Sequence, residues 1–319
     1  MIDHPALRGI LPVLQIPFRG AGVEQVVDVD SLRAEVDFCI AAGVNGLVVP
    51  ALASEFMALT PEERRDVVVT VVEQTAQRVP VVANVAAASV REAVSYATHA
   101  REAGAAAVMA LPPYVRRPGP DGVFAYYKAI AESARLPVVI QNAPPPFGMN
   151  LPSALINRLV DEIHDIAYVK EERLPPGHHM SDVLAGASSR LRGVFGGTAG
   201  LYLPSELARG AIGCMPSAAI PDVLVDIYRA YTDGDIARAR AVHQQVLPLL
   251  TLEMSVLMAV SKDVLVRRGV FAGSDMRDPE FPALDANDVA ELDALWPDVS
   301  PLFSAWKGGP SKTAVIEEP

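Results

Sequence analysis

Several features that mark whole classes of protein are scarce or missing in this sequence. Two cysteines in 319 residues and no Cys-x-x-Cys pair argue against a disulfide framework and a cysteine-based zinc site. With 27 Lys and Arg against 38 Asp and Glu, the formal net charge of -11 argues against a general binder of nucleic acid or of anionic membranes. No apolar run reaches the ~18 residues of a membrane span, and residues 1–5 lack the character of a signal peptide. We therefore expect a soluble, cytoplasmic protein.

What the sequence does contain is a regular alternation of apolar and amphipathic segments. Hydrophobic residues make up 50% of the chain, which is enough for a large core. Eight short segments rich in Val, Ile and Ala are typical of strands that are buried on both faces of a parallel sheet. These segments are 9–18, 46–50, 80–86, 105–112, 137–142, 166–170, 193–197 and 210–215.

Helical patterns lie between these strands. Thr60, Pro61 and Glu63 form a capping box, and Ser89 with Glu92 repeats the pattern. Other helices are predicted at 30–42, 121–134, 152–163, 181–187 and 204–209. Eight strands with helical crossovers predict a closed (β/α)8 TIM barrel. A doubly wound open sheet is the competing arrangement, but no Gly-rich turn follows the first strand.

The strand signals end near residue 220. We expect a barrel over 1–222, a C-terminal helical region over 223–306 that packs on the barrel, and a disordered polar tail over 307–319. Within the helical region, helices are predicted at 223–232, 235–269 and 285–295.

The carboxyl ends of barrel strands are where active-site residues are expected. Lys170 ends the sixth apolar strand, where desolvation favours a free amine that can form a Schiff base with a ketone. Side chains alternate along a strand, so Lys170 and Glu172 share one face and Glu171 points to the other. Glu172 can then shuttle protons for the amine. The alternative is a structural lysine beside two solvated acids.

Other strand ends carry polar groups with less specific signals. Ser54 and its neighbouring amides can hold a carboxylate, or the loop simply packs. Gln141 and Asn142 place amides at the barrel mouth, whereas the Arg116-Arg117 pair favours a solvated or subunit-facing loop. The adjacent pair His178-His179 has poor geometry for one ion, so we expect no metal site.

Six short motifs occur in order along the chain. They are Leu-Thr-Pro-Glu-Glu-Arg at 59–64, Pro113-Tyr114, Asn142-x-Pro144, Lys170-Glu171, Gly210-Ala211-x-Gly213 and Ser-Lys-Asp-Val-Leu at 261–265. With these motifs the chain resembles the dihydrodipicolinate synthase/N-acetylneuraminate lyase superfamily over about residues 8 to 270. This resemblance implies a TIM barrel with C-terminal helices, usually a homotetramer, and a Schiff base between Lys170 and a 2-keto acid with no other cofactor.

The chain also departs from that pattern. The family's Gly-Thr-Thr-Gly-Glu loop is Ala-Leu-Ala-Ser-Glu here at 51–55, so Leu52 and Ala53 replace both threonines. Gln141 replaces the tyrosine before Asn-x-Pro, and Val115 stands where many synthases lend a tyrosine to a neighbouring subunit. Dihydrodipicolinate synthesis is therefore disfavoured, because the hydroxyls of its proton relay are missing.

The altered set is similar to that of the L-2-keto-3-deoxyarabonate dehydratases. The shared segments are Ser-Glu-Phe-Met at 54–57, Met-Ala-Leu-Pro-Pro-Tyr at 109–114, Gln-Asn-Ala-Pro at 141–144 and Lys-Glu-Glu at 170–172. Members of that subgroup tend to continue with Thr-Pro, whereas this chain has Arg173-Leu174-Pro175. The resemblance implies dehydration of a 2-keto-3-deoxy sugar acid to 2-oxoglutarate semialdehyde. Glu172 is our candidate for the proton transfers, in place of the missing tyrosine.

On this basis the expected catalytic residues are Lys170 and Glu172. The expected substrate-binding residues are Ala53, Ser54, Glu55, Tyr114, Gln141, Asn142, Gly197 and Ser217. We expect a small 2-keto acid substrate, no nucleic-acid or membrane partner, and a homotetramer or homodimer. The alternatives are a class I pyruvate-dependent aldolase or dihydrodipicolinate synthase-like enzyme, and a catalytically silent ligand-binding barrel.

Overall fold

Eight parallel strands form the centre of the described chain, which comprises residues 6–279 and 281–305 of the computed structural model. Each strand pairs in parallel with its neighbours, and Val13 bridges Val48 on one side and Ser217 on the other. These bridges close the ring, which confirms the predicted (β/α)8 barrel. The strands are β1 (Gly9–Ile10), β2 (Leu47–Val49), β3 (Val81–Asn84), β4 (Ala107–Ala110), β5 (Val138–Asn142), β6 (Ile166–Glu171), β7 (Gly193–Gly196) and β8 (Gly213–Cys214).

Helices follow the strands around the outside of this ring. The predicted capping box of Thr60 and Glu63 is present at the start of the second helix, and Ser89 caps the third by accepting from the Glu92 N–H. Asp28 caps the first helix, before the start that the sequence suggested at residue 30. The helices are α1 (Val29–Ala41), α2 (Pro61–Thr75), α3 (Val90–Ala103), α4 (Pro120–Ala134), α5 (Ser153–Glu162), α6 (Pro176–Gly186), α7 (Leu203–Ala208) and α8 (Pro221–Thr232).

The first predicted strand, 9–18, was too long. Only Gly9–Ile10 and the bridge at Val13 belong to the barrel, whereas Phe18–Arg19 pairs antiparallel with Val26–Val27 in a separate hairpin. The apolar run is continuous because these residues are buried at the barrel mouth, and burial alone does not show where pairing ends.

The C-terminal helices also differ from the sequence pattern. The predicted helix 235–269 is two helices, α9 (Ile236–Val256) and α10 (Met258–Arg267), because Leu257 between them has a φ of 59°. The last helix is α11 (Ala286–Val299). The expected boundary at 222 falls inside α8, and the predicted tail over 307–319 lies outside the described residues.

These helices share a core with the barrel. Ile10 of β1 and Leu32 of α1 lie in one apolar cluster with Leu250 of α9 and Leu265 of α10. Among the described residues, none of the helices combines the length and apolar character that a membrane crossing needs.

Candidate active site

A pocket of about 250 Å³ lies at the carboxyl ends of the strands. Ala53, Lys170 and Glu172 line it from the barrel, and residues of α9 and α10 line it from the opposite side. A larger groove at the amino ends of the strands is lined by Arg8 and Arg192, and Lys170 does not line it. The pocket is therefore the place in the described chain where the predicted chemistry can occur.

Lys170 and Glu172 lie side by side in this pocket. Lys170 is the penultimate residue of β6 and is 4% exposed, and its Nζ lies 3.2 Å from Oε1 of Glu172. Gln141 Nε2 donates to Oε2 of Glu172 at 2.8 Å, and the Thr198 N–H donates to Oε1 at 3.2 Å. The two N–H donors therefore hold the Glu172 carboxyl group beside the Lys170 nitrogen.

Glu171 points to the other side of β6, as the alternation of side chains predicts. Its carboxylate accepts hydrogen bonds from Asn142 Nδ2 at 2.9 Å and from the Arg173 N–H at 2.9 Å. Burial raises the pKa of Glu171 to about 7, although both hydrogen bonds oppose the shift. Glu171 is thus a buried acid that Asn142 holds away from the pocket.

The structure does not bring Ser54 and Glu55 to the pocket. The Ser54 hydroxyl donates to the Leu14 carbonyl and accepts from the Ala51 N–H, so it closes the turn after β2. Glu55 forms a buried ion pair with Lys262 of α10 and also accepts the Arg277 N–H at 2.9 Å. These two residues fix the loop and the C-terminal segment rather than face a ligand.

Some of the remaining predicted binding residues line the pocket, and others contact only other parts of the protein. Ser217 lines the pocket, whereas Asn142 is occupied by Glu171 and by the backbone of Leu151. Tyr114 packs against the Phe56 ring with centroids 5.7 Å apart. A Cβ at Gly197 would lie 2.4 Å from Oε1 of Glu172, so this glycine leaves room for the carboxylate.

Helices α9 and α10 contribute residues to the pocket that no sequence pattern predicted. Glu253 is 5% exposed and lines the pocket, and the Ser261 hydroxyl donates to its Oε1 at 2.8 Å. Burial raises the pKa of Glu253 to about 7, against the hydrogen bonds from Ser217 and Ser261. Ser261 lies in one of the matching motifs, but no sequence signal distinguished Glu253 from the surrounding helical pattern.

No cluster of three or more His, Cys, Asp or Glu suited to a metal ion occurs within 6–279 and 281–305. His179 lies on α6, where its Nδ1 is 4.0 Å from Oδ2 of Asp182. Neither His178 nor His179 lines the pocket.

Residues 6–294 match the dihydrodipicolinate synthetase family. The chain is 30% identical over 305 residues to an L-2-keto-3-deoxyarabonate dehydratase of Azospirillum brasilense, covering 95% of this chain and 97% of that protein. It is 31% identical over 290 residues to a 4-hydroxy-tetrahydrodipicolinate synthase of Methanothrix thermoacetophila, covering 90% of this chain and 96% of that protein.

Solved structures agree with the family match. A prophage protein of the dihydrodipicolinic acid synthase family from E. coli K12, in complex with pyruvate, superposes with a TM-score of 0.86 at 25% identity. That alignment covers 93% of this chain and 99% of the other. A putative dihydrodipicolinate synthetase from Pseudomonas aeruginosa has a TM-score of 0.86 at 27% identity and covers 92% and 100%.

Proposed function

The chain belongs to the dihydrodipicolinate synthetase family of lyases, and from this premise we propose that it dehydrates a 2-keto-3-deoxy sugar acid. The substrate we propose is L-2-keto-3-deoxyarabonate or a close analogue, and the product is then 2-oxoglutarate semialdehyde. The observation that carries the proposal is the contact between Lys170 and Glu172, with Gln141 rather than a tyrosine holding the carboxylate.

The proposed reaction begins when Lys170 Nζ attacks the C2 ketone and water leaves to form an imine. The imine makes the C3 proton acidic, and Glu172, 3.2 Å from the same nitrogen, is placed to remove it. The electron pair at C3 then expels the C4 hydroxyl, which takes up a proton and leaves as water. Water hydrolyses the unsaturated imine and frees Lys170, and the released allylic alcohol tautomerises through its C4–C5 enol to the semialdehyde. No C–C bond forms or breaks, so the reaction does not need the relay hydroxyls that Leu52 and Ala53 replace.

An aldolase reaction is the second candidate, since the relatives named as synthases are about as similar to the chain as the dehydratase. The prophage protein from E. coli K12, whose solved structure is a complex with pyruvate, also supports the aldolase alternative. The products separate the two reactions, because the dehydratase yields a semialdehyde and the aldolase releases pyruvate. A silent ligand-binding barrel is disfavoured, because a buried lysine beside an oriented carboxylate is retained.

We also propose that the chain works in the cytoplasm as a homodimer or homotetramer, with the covalent imine at Lys170 as its only cofactor chemistry. Membership of the family supports an assembly, and the exposed Val115 stands where many synthases lend a tyrosine to a neighbouring subunit. A light-scattering mass equal to one chain at micromolar concentration would contradict this.

Borohydride trapping tests the proposed function. The protein is incubated with pyruvate and, separately, with 2-keto-3-deoxy sugar acids, reduced, and measured as intact mass. We expect an adduct that Lys170→Ala removes and that the exposed-lysine control Lys128→Ala keeps. Glu172→Gln should retain the adduct and lose turnover. No adduct with any acid in folded protein, or turnover that survives Lys170→Ala, would remove the lyase mechanism, and release of pyruvate would select the aldolase.

A further inference from the structure

A second carboxyl faces the reaction pocket from outside the barrel. Glu253 lies one turn before the end of α9, lines the same pocket as Lys170 and Glu172, and is 5% exposed. No motif of the sequence pointed to it, and the mechanism above does not use it. A buried ionisable group that faces a reaction pocket is a candidate for a role in the chemistry.

The partners of Glu253 differ from those of Glu172. Glu172 lies 3.2 Å from the Lys170 amine and accepts hydrogen bonds from the Gln141 amide and the Thr198 N–H, so its neighbours are hydrogen-bond donors. Glu253 contacts the hydroxyls of Ser217 and Ser261, and within the described residues no Lys, Arg or His forms an ion pair with it. A hydroxyl can both donate and accept, so this environment also accommodates the neutral acid.

The two carboxyls therefore lie in different surroundings. Burial favours the uncharged form of Glu253, whose pKa is raised to about 7. Glu253 lies on the α9 side of the pocket, and Lys170 and Glu172 lie on the β6 side. A dehydration can use groups on both sides, because one group removes a proton while another donates one.

We propose that Glu253 is the acid that protonates the departing hydroxyl, an assignment that rests on the proposed dehydratase function. Glu172 takes the C3 proton of the imine, and the C–H electron pair becomes the C3–C4 double bond. The C4–O bond breaks, and the Glu253 proton passes to that oxygen, so the oxygen leaves as water. Glu172 ends neutral and Glu253 ends ionised, and proton exchange with solvent resets both groups.

Two substrates distinguish an acid role of Glu253 from a structural role, because only one of them has a leaving group that needs a proton. The first is a 2-keto-3-deoxy acid with a C4 hydroxyl, and the second is the same acid with chloride at C4, which leaves without protonation. We expect Glu253→Gln to lower kcat for the hydroxyl substrate by about 100-fold or more, with KM changed by only a few fold. Chloride release should stay within a few fold of the wild-type rate, because it still uses Lys170 and Glu172.

Control variants and a second readout complete the test. The exposed Glu291→Gln should match the wild type on both substrates, and Glu253→Gln should still exchange the C3 protons of pyruvate in D2O. Equal losses on both substrates, or wild-type dehydration by Glu253→Gln, would overturn the assignment while the dehydratase function stands. If the wild-type protein dehydrates no hydroxyl substrate, the proposed function fails and the assignment fails with it.

Discussion

The side-chain amide of Gln141 donates a 2.8 Å hydrogen bond to Oε2 of Glu172. Gln141 is in register with Lys170 across the β5–β6 pair, so the amide, the carboxylate and the amine are held together by neighbouring strands. An amide does not exchange protons as a phenol can, and its role here is to orient. In the proposed mechanism, Glu172 is therefore the group that transfers protons on this side of the pocket.

The first prediction concerns this orientation. Gln141→Leu removes the donor, and a hydrogen bond to a charged group contributes about 1.5–3 kcal/mol. We expect kcat to fall by roughly 10- to 100-fold, by the usual conversion of energy into rate. Pyruvate should still be trapped at Lys170, because the amine is untouched. Unchanged kcat in steady-state assays would show that Gln141 does not position Glu172.

The second prediction uses the glycine beside the same carboxylate. The Cβ of Gly197→Ala would lie 2.4 Å from Oε1 of Glu172, so this flexible side chain must shift from the position in which the same oxygen contacts Lys170. We expect a folded protein with a loss of kcat comparable to that of Glu172→Gln. The control is Gly119→Ala, because a Cβ at Gly119 would meet no atom within 4 Å. Equal activity of both variants would contradict the steric argument.

The third prediction concerns stability. Lys262 and Glu55 are both fully buried and form an ion pair that ties α10 to the loop after β2. Lys262→Met leaves the Glu55 carboxylate buried without its cation, which typically costs about 3–5 kcal/mol. Denaturant unfolding should show this loss, and adding Glu55→Gln should recover part of it. If the double variant is no more stable than Lys262→Met, the unpaired charge of Glu55 is not the cause of the lost stability.

The parts of the fold that follow local rules could be predicted from the sequence. The Thr60 capping box and the eight apolar runs depend on neighbouring residues, and they led to the barrel. Alternation along one strand likewise placed Lys170 beside Glu172. These features depend on residues that are close together in the sequence, so the sequence alone predicts them.

The parts that depend on distant contacts could not be predicted. Ser54 and Glu55 have the residue types of a ligand-binding loop, but the burial of Lys262 against Glu55 gives that loop a structural role. Glu253 reaches the pocket only because α9 folds back over the barrel mouth. The spacing of apolar residues along a helix predicts which face is buried, but it does not predict which element packs against that face.

The last prediction concerns the pH dependence of stability. Glu206 on α7 is fully buried, and neither carboxyl oxygen has a hydrogen-bond partner within the described residues. Burial raises the pKa of Glu206 to about 8, and the charge of Glu172 adds to the shift. Between the ordinary value of 4.5 and about 8 the folded state binds a proton that the unfolded state has released, so the free energy of unfolding decreases as pH rises through this range and levels off above it.

Glu206→Gln removes this ionisation. The wild type should lose about 3 kcal/mol more of its unfolding free energy than the variant between about pH 6 and pH 9, because each of the roughly two pH units below the folded pKa corresponds to about 1.4 kcal/mol. Urea unfolding across that range measures the difference, with the exposed Glu291→Gln as the control that should follow the wild type. Parallel curves for Glu206→Gln and the wild type would mean that Glu206 ionises alike in both states. The comparison uses slopes with pH rather than absolute stabilities, because the new amide also lacks a partner at every pH.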